Sequence, residues 1–148
     1  LLERWLREPD VGLALDPEWA GDPGEVPGRT YGRTTGAELN SVAQWLSRLV
    51  KEHDLPEKVL VFHQVHASVV EAEIDLKPHP GVALVKSVDG IGVRSEKEQT
   101  WNRLMPTKPV WVHAGFKLFF EEDTRRGPLM TPDQVLDLEP LPEYVLYE

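Results

Sequence analysis

The sequence predicts a parallel α/β fold, the last five β/α units of a (β/α)8 TIM-type barrel. Three observations predict it. Five short apolar runs have strand character, at residues 11–15, 59–62, 82–88, 110–120 and 144–147. Amphipathic stretches with helix caps lie between them, an alternation that indicates a parallel sheet rather than hairpins. Nearly every run exits into polar, mostly ionisable residues, and in a parallel barrel those exits share one rim, where active sites are built.

The elements follow in order. Leu1, Leu2, Trp5 and Leu6 fall on one helical face. The run at 11–15 leads into Asp16-Pro17-Glu18-Trp19, and residues 20–34, rich in Gly and Pro, read as a long loop. Thr35 and Glu38 form a capping box, and Leu39, Val42, Ala43, Leu46, Leu49 and Val50 continue at helical spacing to about His53. The run at 59–62 exits into His63-Gln64-Val65-His66, and 67–73 is a further helix candidate. The run at 82–88 exits into Asp89-Gly90. Ser95 and Glu98 suggest a second capping box for a helix through Trp101 to Leu104. The run at 110–120, expected to break near Gly115, exits into Glu121-Glu122-Asp123. Thr131, Pro132 and Gln134 open a last helix that ends before Pro140, and the final run leads into Glu148.

Composition narrows the function classes. The 148 residues carry 25 acids against 16 bases, a formal charge of -9, and a surface of that sign repels phosphate backbones, which excludes nucleic acid as the expected partner. No apolar run is long enough to span a membrane. There is no cysteine, so no disulfide or cysteine-bound zinc forms. No Gly-x-Gly-x-x-Gly follows the first strand and no Gly-x-Ser-x-Gly elbow exists, which removes a dinucleotide fingerprint and a serine-hydrolase triad. No cofactor is called for. Residues 1–148 read as one domain. Five strands are three short of a closed barrel, and the chain opens inside a helical pattern without Met. The expectation is therefore a C-terminal portion, completed by a preceding segment or a second chain.

The sharpest local pattern is Asp16-Pro17-Glu18-Trp19. On extended backbone, residues i and i+2 point the same way, which would aim both carboxylates at the rim. Two close carboxylates raise one pKa, and a protonated acid beside an ionised one is what glycosidic cleavage requires. Trp19 offers a flat face for a sugar ring. His63 and Gln64 can donate to and accept from sugar hydroxyls, and Asp89 and Lys117 complete the expected substrate-binding set. Glu121, Glu122 or Glu148 is the expected opposing carboxylate. Lys86 and Lys117 both interrupt apolar runs, which calls for ion pairs. A metal-dependent hydrolase using His63, His66, His113, Asp16, Glu18 or Glu148, and a non-catalytic glycan- or partner-binding module, are the alternatives.

Taken with His63-Gln64, Val88-Asp89-Gly90 and the run from Gly115 through Lys117 to Asp123, the Asp16-Pro17-Glu18-Trp19 segment resembles a group of actinobacterial proteins, often labelled lipoproteins, of TIM-barrel glycoside-hydrolase-like character. That resemblance covers most of the chain. It implies a cell-envelope or extracellular setting and a glycan substrate. A looser similarity is to barrel lysozymes and chitinase-type enzymes, whose Asp-x-Glu motif ends the fourth strand. On that register Glu18 corresponds to the catalytic acid and Asp16 to its supporting carboxylate. The longer acidic run of the chitinase type is absent, which argues against substrate assistance.

Overall fold

A computed structural model describes residues 2–21, 23–26 and 29–148. In chain order the elements are α1 (Glu3–Leu6), β1 (Leu13–Leu15), β2 (Thr34–Thr35), α2 (Gly36–Glu52), β3 (Lys58–Gln64), β4 (Val70–Glu71), β5 (Val82–Val88), α3 (Arg94–Leu104), β6 (His113–Leu118), α4 (Pro132–Leu136) and β7 (Tyr144–Tyr147). Five of the strands form one parallel sheet in the order β1-β3-β5-β6-β7. Strand order follows chain order throughout. A doubly wound sheet reverses at a switch point, and no reversal occurs here. The sheet is curled as a half-barrel, so the chain is a partial α/β barrel.

Alternation along the strands creates two unlike faces. Leu13, Leu15, Leu60, Phe62 and Leu84 point outward against Leu39, Ala43, Leu46 and Leu49 of α2. Val88, Ala114, Phe116 and Leu118 point outward against Trp101 and Leu104 of α3 and Val135 of α4. A fully buried aliphatic side chain contributes about 1.5–3 kcal/mol, so these two clusters carry most of the stabilisation. The residues between them, including Val61, His63, Val85, Ser87 and Lys117, occupy the opposite, concave face. Gly115 sits within β6 on that face, because a Cβ there would lie 2.9 Å from Val85 Cγ1 and 3.1 Å from the Lys86 carbonyl oxygen. The expected break near Gly115 is therefore a close packing point inside a continuous strand.

The helix caps explain where α2 and α4 begin. Thr35 Oγ1 accepts from the Glu38 N–H at 3.2 Å, and Glu38 Oε2 accepts from the Thr35 N–H at 2.8 Å. Thr131 and Gln134 reciprocate in the same way at 3.3 and 3.1 Å. The third expected box is displaced. α3 starts after Val93, whose N–H donates to Glu96 at 3.1 Å, and valine has no acceptor to return the bond. Ser95 lies inside the helix, and Glu98 accepts from Arg94 instead.

Three other expectations are corrected. The stretch 67–73 is not a helix; it is a 3-10 turn, then β4, then the start of a second 3-10 turn. β4 pairs in parallel with β2 in a small second sheet, so the 20–34 loop ends in regular structure. The strand at 110–120 shortens to His113–Leu118, because Pro109 accepts a turn bond from Val112 and leaves Val110 in solvent. Finally, Leu1 lies outside the described residues, and of its apolar partners only Leu6 is buried.

Candidate functional site

The concave face changes character along its length. Toward the strand N-termini it carries Val59, Val61 and Tyr144. Toward the C-termini it carries, strand by strand, Asp16 after β1, His63 on β3, Ser87 and Asp89 on and after β5, Lys117 on β6 and Glu148 after β7. At this end of the face is a cleft of about 680 Å³, whose lining includes Asp16, Glu18, Trp19, Asp89, Lys117 and Glu148. Tyr31, His66, Ile91, Arg103 and Phe119 wall it.

Glu18 reaches the cleft by a different route from the expected one. Pro17–Trp19 is a 3-10 turn, so Asp16 and Glu18 do not share an extended backbone. The turn is pinned by the Gly32 N–H donating to the Glu18 carbonyl at 2.7 Å. Only glycine fits there, since a Cβ would stand 2.5 to 2.7 Å from three backbone atoms of Ala20. Glu18 is half-buried, and burial, with the Asp16 charge adding, raises its pKa above the ordinary value.

At and beside the cleft lie buried polar groups without partners, Asp89 in its lining and His63 and Ser87 on the same face of the sheet. His63, Ser87 and Asp89 are 3%, 0% and 6% exposed. His63 Nδ1, Ser87 Oγ, Asp89 Oδ1 and Glu18 Oε2 each lack a hydrogen-bond partner. His63 Nδ1 lies 3.8 Å from Asp89 Oδ2, too far for a hydrogen bond. Burial lowers the His63 pKa, and Lys117 lowers it further, while Asp16 and Glu148 oppose. Asp89 is pushed up to about 7, first by burial and then by the Glu18 charge. Lys117 Nζ donates to Glu148 at 2.7 Å and lies 3.9 Å from Asp89 Oδ2. Burial works against its charge, but the Glu148 hydrogen bond and the surrounding carboxylates outweigh that and raise its pKa. The same bond holds Glu148 below the usual carboxylate range.

The loop that carries Asp89 and the segment that follows the Lys117 strand are locked together from behind. Lys97 Nζ donates to the Gly90 carbonyl at 2.7 Å and pairs with Asp123 at 2.9 Å. Asp123 accepts from the N–H groups of Gly92 and Phe119, both at 2.9 Å.

The structure thus brings together Asp16, Glu18, Trp19, His63, Asp89, Lys117 and Glu148. It does not bring Gln64, Glu121 or Glu122 to them. Gln64 follows His63 directly and so points to the opposite face, where it lines an outer pocket with Glu73. Glu122 pairs with Arg125, and Glu121 is exposed beyond the lining of the cleft. Lys86 is likewise on the outer face, bound to Glu73, Leu104 and Thr107. Of the alternative metal-ligating histidines, His66 bonds Ser68 and stacks on Tyr31, and His113 pairs with Glu143 at the other end of β6. Among the described residues, Asp16, His63 and Asp89 form one group whose potential ligand atoms lie within 4.8 Å of one another. Ser87, Tyr31 and Lys97 were not foreseen. Ser87 was detectable as a lone hydroxyl in an apolar run, two residues before Asp89.

No protein-family model, curated protein or solved structure matches this chain. Fold and site therefore define its class: a partial α/β barrel with an acidic cleft at the strand C-termini. No helix among the described residues is long and apolar enough to cross a membrane.

Proposed function

We propose that this chain is the C-terminal part of a (β/α)8 barrel and that its cleft hydrolyses a glycan between two carboxyl groups, Glu18 and Glu148. One observation carries the reading. β1 and β7 are the two outermost strands of a curled sheet, and the carboxylates that follow them line the same cleft. A sugar placed between them meets an acid from either side, as glycosidic cleavage requires. Glu18, half-buried, is the proton donor to the leaving oxygen. Glu148, held as an anion by Lys117, is the opposing group that activates water or attacks the anomeric carbon. Trp19, 62% exposed beside Glu18, and Tyr31 supply flat apolar walls suited to a pyranose face.

The test is hydrolysis of cell-wall and storage glycans by the wild type, Glu18→Gln and Glu148→Gln. General acid–base groups contribute about 10²–10⁴-fold, so each variant should lose at least about 100-fold in kcat with the substrate still bound. Unchanged hydrolysis in Glu18→Gln would remove the assignment.

A further inference from the structure

Three neighbouring strands of the sheet bring one metal-ligating side chain each to one place: Asp16 after β1 and Asp89 after β5 line the cleft, and His63 on β3 lies buried beside Asp89. We propose that these three bind a first-row divalent cation, zinc or manganese, whose open coordination positions take hydroxyls of the bound glycan.

The geometry is close to what such an ion needs. Around zinc, ligand atoms at about 2.0–2.1 Å stand roughly 3.3 Å apart in a tetrahedral arrangement. His63 Nδ1 and Asp89 Oδ2 are 3.8 Å apart, and all three ligand atoms lie within 4.8 Å of one another. Small side-chain rotations close the remainder. The buried atoms also lack any other partner. His63 Nδ1 and Asp89 Oδ1 are unbonded, and such a group costs about 1–3 kcal/mol when it is left unsatisfied. Coordination through Nδ1 satisfies His63, and a carboxylate that binds through both oxygens, or turns Oδ1 toward the ion, satisfies Asp89.

The donor set selects the ion. One imidazole nitrogen with two carboxylate oxygens suits zinc, manganese or iron(II), whereas magnesium and calcium favour oxygen alone. Three protein ligands leave at least one position open, and the site faces a cleft wide enough for a sugar. The local field favours a cation. Four carboxyl groups, Asp16, Glu18, Asp89 and Glu148, line the cleft against two basic side chains, Lys117 and Arg103, in a chain of net charge -9. Lys117 does not fill the site. Its hydrogen bond goes to Glu148 at 2.7 Å, and its 3.9 Å approach to Asp89 is no hydrogen bond, so little is lost when an ion takes Asp89.

The ion site stands on geometry alone; the role of its open positions rests on the glycan reading above. The experiment titrates chelator-treated full chain with Zn²⁺, Mn²⁺ and Mg²⁺ by calorimetry, and records Mn²⁺ electron-spin-echo spectra for nitrogen coupling. One Zn²⁺ or Mn²⁺ per chain should bind, with Mg²⁺ much weaker. The nitrogen coupling should vanish in His63→Gln. His63→Gln and Asp16→Asn should each weaken Zn²⁺ by more than about 100-fold, beyond the 10–100-fold that an outer-shell partner contributes. His113→Ala, on the far end of β6, should bind as wild type. Asp16 is exposed, so Asp16→Asn keeps the test open should His63→Gln not fold. No stoichiometric binding, or binding indifferent to both substitutions, overturns the proposal. The two readings separate cleanly. Glu18-dependent hydrolysis that persists in ion-free protein removes the ion's role toward the glycan and keeps the hydrolase. A His63-bound ion in a protein that cleaves no glycan does the reverse.

Discussion

Asp89 and Asp123 invite comparison. Both are buried aspartates in loops that follow strands of one sheet, at 6% and 2% exposure, and each has a lysine nearby. Asp123 is completely satisfied. Its carboxylate accepts from Gly92, Phe119 and Lys97. Asp89 has one oxygen with no partner and the other 3.8 Å from His63 and 3.9 Å from Lys117. The same residue type at nearly the same depth thus serves two ends. Asp123 ties two loops together. Asp89 is held by its surroundings in a state that lacks something, a proton or a ligand. A folded chain tolerates that deficit where function uses it, and the satisfied pair behind it supplies the rigidity the deficit needs.

The largest expected effect breaks the satisfied side. Asp123→Ala leaves the Lys97 ammonium buried and unpaired and orphans two loop N–H groups. Removing one member of a buried pair costs about 3–5 kcal/mol, and urea unfolding should show a loss of that size. A loss under 1 kcal/mol would mean that Lys97 reaches water and that the two loops are not joined by this pair.

The next effect has the opposite sign. Raising a carboxyl from 3.8 to about 7 amounts to roughly 4 kcal/mol. The folded chain prefers Asp89 protonated, so this contribution is full below about pH 4, is lost as pH rises toward 7, and stays lost above it. Asp89→Asn removes the penalty. In chelator-treated protein at pH 8 the variant should be more stable than wild type, by up to roughly 4 kcal/mol, with a flatter dependence on pH between 4 and 7. Lower stability of Asp89→Asn at pH 8 would show that Asp89 is structural like Asp123, and the contrast between them would collapse.

Much of the scaffold was legible because local chemistry decided it. Thr35 with Glu38 and Thr131 with Gln134 start their helices as the sequence indicates, since the cap is made within four residues. The runs at 59–62, 82–88 and 144–147 lie within observed strands. What failed depended on partners distant in sequence. β2 exists because Thr34 and Thr35 meet Val70 and Glu71, and neither segment has strand periodicity. In the site, Asp16, Glu18, His63 and Lys117 were legible as polar groups on or after apolar strands. Gln64 was misplaced because neighbouring residues on a strand face opposite ways. Glu121 and Glu122 were favoured over Asp123, although Asp123 is the buried one. Three acids in a row look alike until the backbone N–H groups that choose among them are in place.

A smaller effect tests the scaffold. Thr35→Ala removes the acceptor for the Glu38 N–H at the start of α2 and should cost about 1 kcal/mol by thermal or urea unfolding. It should leave Zn²⁺ binding unchanged, because α2 packs on the outer face of the sheet, opposite the face that carries His63.

The smallest expected stability effect falls on Trp19, and it separates wall from floor. Its side chain is 62% exposed and lies outside both apolar clusters. Exposed substitutions away from packing or capping roles stay within about 0.5 kcal/mol, so Trp19→Ala should unfold as wild type does. Ligand binding should respond differently. A tryptophan kept in solvent beside a cleft carboxylate forgoes burial that the core could have provided, and a flat ligand restores that burial on binding. Affinity for a glycan oligomer, measured by calorimetry, should fall by about tenfold or more on loss of such an aromatic anchor, whereas Zn²⁺ affinity should not move. Equal loss of both would place Trp19 in the support of Asp16 rather than in the wall. Loss of neither would leave Tyr31 and Phe119 as the aromatic surfaces against which a sugar could lie.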